Sequence, residues 1–295
     1  MDILITGSNG FLGHYLVEQL LQKKYNVIAT GKGECRLPYM GQDNFIYESM
    51  DFTDPFAVHD IMEQYRPAVV IHAGAMSKPD DCEKDQWQAY VTNVESTLTL
   101  LANAEEYKSH FIFISTDFVF SGNEGMYSEE DETGPVNFYG KTKLEAEDAV
   151  KEYPFDWTII RTVLVYGKPQ AGRGNLLTVV KEKLENGEEY KVFDDQVRTP
   201  TYVEDLAAAI VNVVERKATG IYHISGEDVL TPYEMALKTA DFLHLDISHI
   251  KKVTAAGFSQ SAKRPLKTGF IIDKAKKKLG YTPISFEEGL KKTFE

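Results

Sequence analysis

Three residues of this chain combine types and spacing suited to proton transfer at a carbonyl oxygen. Tyr139 and Lys143 stand four apart in Asn137-Phe138-Tyr139-Gly140-Lys141-Thr142-Lys143-Leu144-Glu145, so on a helix their side chains share one face. A free phenol has a pKa of about 10, too high for ready exchange at neutral pH, and an adjacent ammonium favours the phenolate and brings that value down. Tyr139 therefore reads as a general acid. Thr116, in Ser115-Thr116-Asp117, offers a second hydrogen bond to the same oxygen and would polarise a carbonyl as hydride reaches its carbon. A Tyr and a Lys at helical spacing also occur on ordinary solvated faces. Their weight here comes from chain order, because they follow a glycine turn, a strand ending in small residues and a strand ending in Ser-Thr-Asp.

The elements that must position these residues are legible in the same text. Ile3 to Thr6, Asn26 to Ala29, Phe45 to Tyr47, Ala68 to His72, Phe111 to Ser115 and Trp157 to Arg161 read as strands, with amphipathic helical stretches between most of them. Runs such as Ile3-Leu4-Ile5 and Val69-Val70-Ile71 are apolar without alternation, as expected of strands covered on both faces. The order βαβα predicts an α/β fold with a doubly wound parallel sheet. The first strand runs into Thr6-Gly7-Ser8-Asn9-Gly10-Phe11-Leu12-Gly13 and then a helical pattern. Gly7 would permit a tight turn, Gly10 would let the backbone approach a pyrophosphate and Gly13 would let helix and strand pack closely. With Asn9, Phe11 and Leu12 between them, these residues form the expected dinucleotide-phosphate site, at the amide-rich start of a helix. The spacing is G-x-x-G-x-x-G, so the position of the motif counts for more than its glycines.

Coenzyme choice rests on the end of the second strand. Lys32 and Arg36 favour NADP(H), whereas Glu34 keeps NAD(H) open. Asp51-Phe52 after the third strand would meet the adenine, and Ala73-Gly74-Ala75 after the fourth would let a coenzyme lie against the backbone.

From about Gly167 the elements shorten, with helices near Val203 to Glu215, Pro232 to Leu243 and Phe286 to Thr293. We expect residues 1–166 to form the dinucleotide-binding domain, with later segments returning to it, and 167–295 to form mainly a smaller substrate-binding lobe. The net charge of −13 argues against a nucleic-acid groove or an anionic membrane surface as main partner. The two cysteines, Cys35 and Cys82, are too few for a disulfide framework and lack metal-ligand spacing. Without a basic leader or a membrane-length apolar run, a cytoplasmic protein is expected, with no metal site. Among loop arginines, Arg198, Arg173 and Arg264 could clamp a substrate pyrophosphate, and Arg198 is the strongest candidate.

These segments resemble the extended short-chain dehydrogenase/reductase family, specifically its dTDP-4-dehydrorhamnose reductase branch. The resemblance runs through Gly7 to Gly13, Ser115-Thr116-Asp117-Phe118-Val119-Phe120, Tyr139 to Lys143, Arg161-Thr162 with Val165-Tyr166-Gly167, Pro200-Thr201 with Glu204-Asp205-Leu206, and Arg264-Pro265-Leu266. It implies a Rossmann domain, a small sugar-binding lobe, NADPH as donor and reduction of a 4-keto group on a nucleotide-activated sugar. It also implies that Lys143 holds the nicotinamide ribose, that Asp117 faces the sugar and that Asn93 is a structural asparagine. A homodimer is compatible with it. Leu164 stands where an aromatic residue is usual in rhamnose-pathway reductases, and Met76 to Glu83 also departs from the usual wording. The sequence also resembles the regulatory β subunit of methionine adenosyltransferase, through Gln196 to Thr201, Ser225-Gly226, Tyr233 to Ala236 and Arg264-Pro265. In that reading Tyr139 and Lys143 only hold NADP.

Overall fold

Alternate residues of the apolar strands go to opposite faces of one sheet, and both faces are covered. Ile3, Ile5, Val27, Ala29 and Ile71 enter one core cluster, whereas Leu4, Ile28, Val70, Phe111 and Phe113 enter a second. The computed structural model describes residues 1–170, 174–258 and 260–295. In chain order its first half contains β1 (Asp2–Thr6), α1 (Phe11–Gln22), β2 (Asn26–Gly31), β3 (Phe45–Ser49), α2 (Pro55–Tyr65) and β4 (Val69–His72). It continues with α3 (Pro79–Lys84), α4 (Gln86–Tyr90), a π-helical turn (Val91–Glu95), α5 (Ser96–Tyr107), β5 (His110–Thr116), α6 (Phe138–Lys151) and β6 (Trp157–Thr162). The second half contains β7 (Val165–Tyr166), α7 (Leu176–Glu185), β8 (Tyr190–Phe193), β9 (Thr201–Tyr202), α8 (Val203–Arg216), β10 (Gly220–Ile224), α9 (Pro232–Phe242), β11 (Ile250–Val253), α10 (Asp273–Leu279) and α11 (Phe286–Phe294).

The main sheet has seven parallel strands in the order β10-β6-β5-β4-β1-β2-β3. The order reverses between β1 and β4, and in such sheets the crevice at the carboxyl ends of the two strands is the binding position. All six strands read from the sequence are present within a few residues. The seventh, β10, comes from the later half of the chain and pairs with β6. Residues of α1 and α8 join the first cluster, and Ala146 and Val150 of α6 join the second. Beyond the sheet, β8 pairs with β11, and Val180, Val192, Ala236 and Ile250 form a separate small core.

Candidate functional site

At the reversal point the glycine turn is built so tightly that side chains have no place. Gly7 has φ +72°, and a Cβ there would lie 2.9 Å from the amide nitrogen of Gly74. A Cβ on Gly13 would meet Gly7 O and would lie 2.6 Å from Ser8 Cα. The turn is tied to β2, because Ser8 N and Oγ both donate to Thr30 O, at 3.0 and 2.9 Å. Gly10 caps α1 without any side-chain hydrogen bond, so the amides of Phe11, Leu12 and Gly13 begin the helix unmasked. Such an uncapped amide cluster at the positive end of a helix fits an anionic pyrophosphate.

Around this turn the other expected binding residues fall into place with different degrees of commitment. Asn9 is a brace: its Oδ1 accepts from Arg36 N at 2.9 Å, and its Nδ2 donates to Glu34 O at 3.0 Å and Tyr47 OH at 2.8 Å. It thereby fixes the loop carrying Lys32 and Arg36 against the glycine turn. Lys32 forms an ion pair with Asp51 at 2.7 Å, linking the ends of β2 and β3. Phe52 lies against Gly74, where an added Cβ would come within 2.5 Å of the ring. Thr6 Oγ1 accepts from Gly74 N at 3.3 Å and bonds His72 Nδ1 at 2.7 Å, closing β1 onto the Ala73-Gly74-Ala75 segment. Asn93, 1 % exposed, accepts from Met76 N and donates to Met76 O and to Thr142 Oγ1. It fastens that same segment to α6.

Next to β4 in the sheet, β5 ends at Thr116, and α6 brings Tyr139 and Lys143 to that end. Asn137 starts α6 by accepting from Gly140 N at 2.8 Å. Gly140 allows the helix to sit directly on Phe118 O, and the Phe118 and Tyr139 rings meet edge to face at 5.8 Å. Burial raises the Tyr139 pKa above the ordinary phenol value, with the Thr116 side chain acting in the opposite direction. The expectation that Lys143 brings Tyr139 toward neutrality is therefore corrected. Desolvation dominates at this depth, and it also pushes Lys143 itself down to about 7, with Glu147 and Cys82 opposing. The Lys143 ammonium sits 3.8 Å from the centre of the Phe113 ring. Tyr139 is thus a firmly protonated phenol, suited to giving up a proton to a strong base.

Asp117, 3 % exposed, accepts from Thr116 Oγ1 at 3.1 Å and from Thr268 Oγ1, and it pairs with Arg198 Nε at 3.7 Å. Arg198, the arginine that would clamp a substrate pyrophosphate, is turned inward. Only 3 % exposed, it gives its remaining donors to Val197 O, Leu266 O, Pro265 O and Gln196 Oε1. A guanidinium has five N–H groups in one plane, and here all are directed inward. Arg264 is committed in a similar way, with both Nη atoms on Asp80, whose carboxyl it lowers to about 2. Arg173 lies outside the described residues. Lys263 O accepts from Asn137 Nδ2 at 2.7 Å, so the 262–268 segment is strapped to the start of α6.

Sequence reasoning missed the polar network beneath Lys143. Glu147, fully buried, receives Arg161 Nε and Nη2 at 3.0 and 2.7 Å and Ser115 Oγ at 2.5 Å. Arg161 Nη1 faces His223 Nε2 at 3.4 Å, and His223 Nδ1 is 3.0 Å from Tyr127 O. The available signal was Glu147 standing four residues beyond Lys143 on the same helical face. Among the described residues no group of three or more His, Cys, Asp and Glu side chains is arranged to hold a metal, and no helix is long and apolar enough to cross a membrane.

Fold and site define an α/β protein of the extended short-chain dehydrogenase/reductase type. The chain belongs to the RmlD substrate binding domain family, which matches residues 1–295. It is 31 % identical over 258 residues to methionine adenosyltransferase 2 subunit beta of Bos taurus, covering 85 % of this chain and 75 % of that protein. It is 30 % identical over 290 residues to spore coat polysaccharide biosynthesis protein SpsK of Bacillus subtilis, covering 98 % and 95 %. The solved dTDP-4-dehydrorhamnose reductase of Bacillus anthracis, in complex with NADP, superposes with a TM-score of 0.86 at 28 % identity, covering 99 % of this chain and 98 % of that one. The family resemblance read from the motifs thus holds over the whole length.

Proposed function

We propose that this chain is a reductase of a nucleotide-activated 4-keto sugar that uses NADPH. The reading is supported by α6, which sets the Tyr139 side chain by Thr116 and Phe118 at the end of β5 and the Lys143 ammonium over the Phe113 ring of the same strand. The coenzyme supplies the hydride when bound. Gly7, Asn9, Gly10, Phe11, Leu12 and Gly13 would hold its pyrophosphate, and Ala73, Gly74 and Ala75 would lie along it. Lys32 and Arg36 would meet the extra phosphate of NADPH, with Asp51 and Phe52 at the adenine. Lys143 would hold the nicotinamide ribose. Residues 1–166, completed by β10, form the coenzyme half, and 167–295 mainly the sugar lobe.

In this site Tyr139 keeps its proton at neutral pH, since burial opposes the phenolate. It gives that proton to the substrate oxygen as the oxygen becomes an alkoxide, a far stronger base than the ketone. Thr116 orients the oxygen, and the Lys143 ammonium stabilises the phenolate left behind. Asp117, at the junction of β5 and the 262–268 strap, faces the sugar. Two cysteines without a partner suit a reducing cytoplasm.

The 31 % identity to methionine adenosyltransferase 2 subunit beta favours a second reading, a regulatory subunit that binds NADP without turnover. Incubation with NADPH and a panel of nucleotide-linked 4-keto sugars, followed by NADPH absorbance, separates the two. Oxidation with one member supports the reductase. Tight NADPH binding without oxidation by any member supports the regulatory subunit.

A further inference from the structure

One phenol ties together the loop on which coenzyme choice rests. Tyr47 of β3 stands level with Ala29 of β2, and its ring packs against the first core cluster. Its hydroxyl accepts from Asn9 Nδ2 at 2.8 Å and faces Gly33 O at 2.9 Å, Gly31 O at 3.0 Å and Glu34 O at 3.4 Å. A phenol has a single proton to donate, so three carbonyls gather round one O–H. Gly31 O also accepts from Met50 N, and Glu34 O from Asn9 Nδ2. Among the described residues the Tyr47 hydroxyl is the one donor to Gly33 O, and nothing lies within 4 Å of where a Gly33 Cβ would stand. Hydrogen bonds rather than packing therefore hold the loop at that point.

We infer that Tyr47 is a positioning residue for coenzyme choice: through Asn9 and the carbonyls of Gly31, Gly33 and Glu34, its hydroxyl sets where Lys32, Glu34 and Arg36 stand relative to the glycine turn. The inference deepens the proposed function, since it rests on this loop as the reader of the coenzyme's ribose 2′ position. Each of the three side chains has a peptide group in or beside the hub. Lys32 lies between the two glycine carbonyls, Glu34 contributes its own carbonyl, and Arg36 N donates to Asn9 Oδ1 at 2.9 Å. Asn9 is also part of the glycine turn, between Ser8 and Gly10, so the hub fixes the spacing between the proposed pyrophosphate site and the charges that would meet the ribose. Lys32, Glu34 and Arg36 are all exposed, and the backbone beneath them decides where they reach. A charge-assisted bond to a phosphate oxygen needs a separation of about 2.7–2.9 Å, so a loop that drifts by about 1 Å loses it. Contacts to the adenine and the pyrophosphate, common to both coenzymes, are made from other segments and stay.

The test compares NADPH and NADH dissociation constants, read by isothermal titration calorimetry on coenzyme-free protein. Tyr47→Phe keeps the ring and its core packing and deletes only the hydroxyl. The ratio of the two constants should move toward one by about three- to tenfold, the range of one lost hydrogen bond. A purely structural role would weaken both coenzymes alike and leave the ratio in place, and that result would overturn the inference. With a parent that prefers NADPH, Tyr47→Phe added to Lys32→Ala/Arg36→Ala should leave the ratio where the two alanines put it. A further fall of equal size would show that the phenol acts by another route, and would also overturn the inference. A parent that prefers NADH removes the NADPH reading. Glu34 stands on the same loop, so a ratio that still moves toward one in Tyr47→Phe keeps the inference in that case.

Discussion

Replacing Gly13 by alanine sets two known effects against each other, and the structure says which wins. Gly13 lies inside α1, where alanine is favoured over glycine by about 1 kcal/mol in helix propensity. The added methyl would stand 2.6 Å from Ser8 Cα and 2.7 Å from Ser8 O, and would also meet Gly7 O. All three are backbone atoms, so no side chain can swing aside. Carbon contacts are comfortable from about 3.5 Å, so the helix or the turn must yield by roughly 0.8 Å. Yielding is resisted, since Ser8 N and Oγ are tied to Thr30 O and Gly10 N to Gly7 O. Overpacking of this kind costs about 1–3 kcal/mol, and three rigid contacts place it at the upper end. The net expectation is a loss of about 2 kcal/mol in urea unfolding followed by far-UV circular dichroism, with unchanged m. Gly10→Ala is the control: its backbone is extended, with φ −84° and ψ 174°, and its Cβ meets only Gly7 O at 3.0 Å. It should lose less than about 1 kcal/mol, and if the turn holds the coenzyme pyrophosphate as proposed, the added methyl should weaken NADPH binding. A Gly13→Ala protein as stable as the parent, or one more stable than Gly10→Ala, would refute the reasoning.

Three further outcomes can be checked. Tyr139→Phe should leave NADPH affinity nearly intact and lower kcat by about 10²–10⁴-fold, and a smaller loss would remove Tyr139 as proton donor. Lys32→Ala should raise the NADPH dissociation constant roughly tenfold and leave that for NADH almost unchanged, since one charge-assisted bond to the extra phosphate is lost. Equal weakening of both coenzymes would show that Lys32 does not read that phosphate. His72 and His223 are buried and held down to about 3, the first by burial and Lys143, the second by burial and Arg161. Depressed folded values mean that their stabilisation is complete above the unfolded pKa of about 6.5 and is lost as pH falls toward about 3. At pH 5 each histidine should weaken the fold by about 2 kcal/mol. Unfolding free energies that stay flat between pH 6.5 and 5 would contradict this.

The six strands through β6 were legible because a strand covered on both faces must be apolar at every position, and Ile3-Leu4-Ile5 or Val69-Val70-Ile71 can serve little else. The glycine turn was legible because only glycine fits where backbones touch, as Gly7 does against Gly74. β10 was not read, because Gly220-Ile221-Tyr222-His223-Ile224 carries a histidine whose burial depends on Arg161 and on the Phe270 ring stacked 3.9 Å away. Arg198 looks like any loop arginine in the text. Its inward orientation depends on carbonyls at 197, 265 and 266, which only tertiary structure brings together. The spacing of Tyr139 and Lys143 was visible, but the direction of the phenol's shift was not, because desolvation depends on what covers a residue.

The late arrival of β10 bears on how the chain can be made. His223 pairs with Arg161 from 62 positions away, so at ribosomal rates of about 5–20 residues/s the β6 border waits roughly 3–12 s for its neighbour. During that interval a buried-type strand offers open amides and carbonyls to any other nascent chain. Fragments ending before Gly220 should therefore emerge as sticky intermediates rather than miniature coenzyme binders. Trigger-type holdases or slow dilution ought to help the full polypeptide most while this seam is still unsealed.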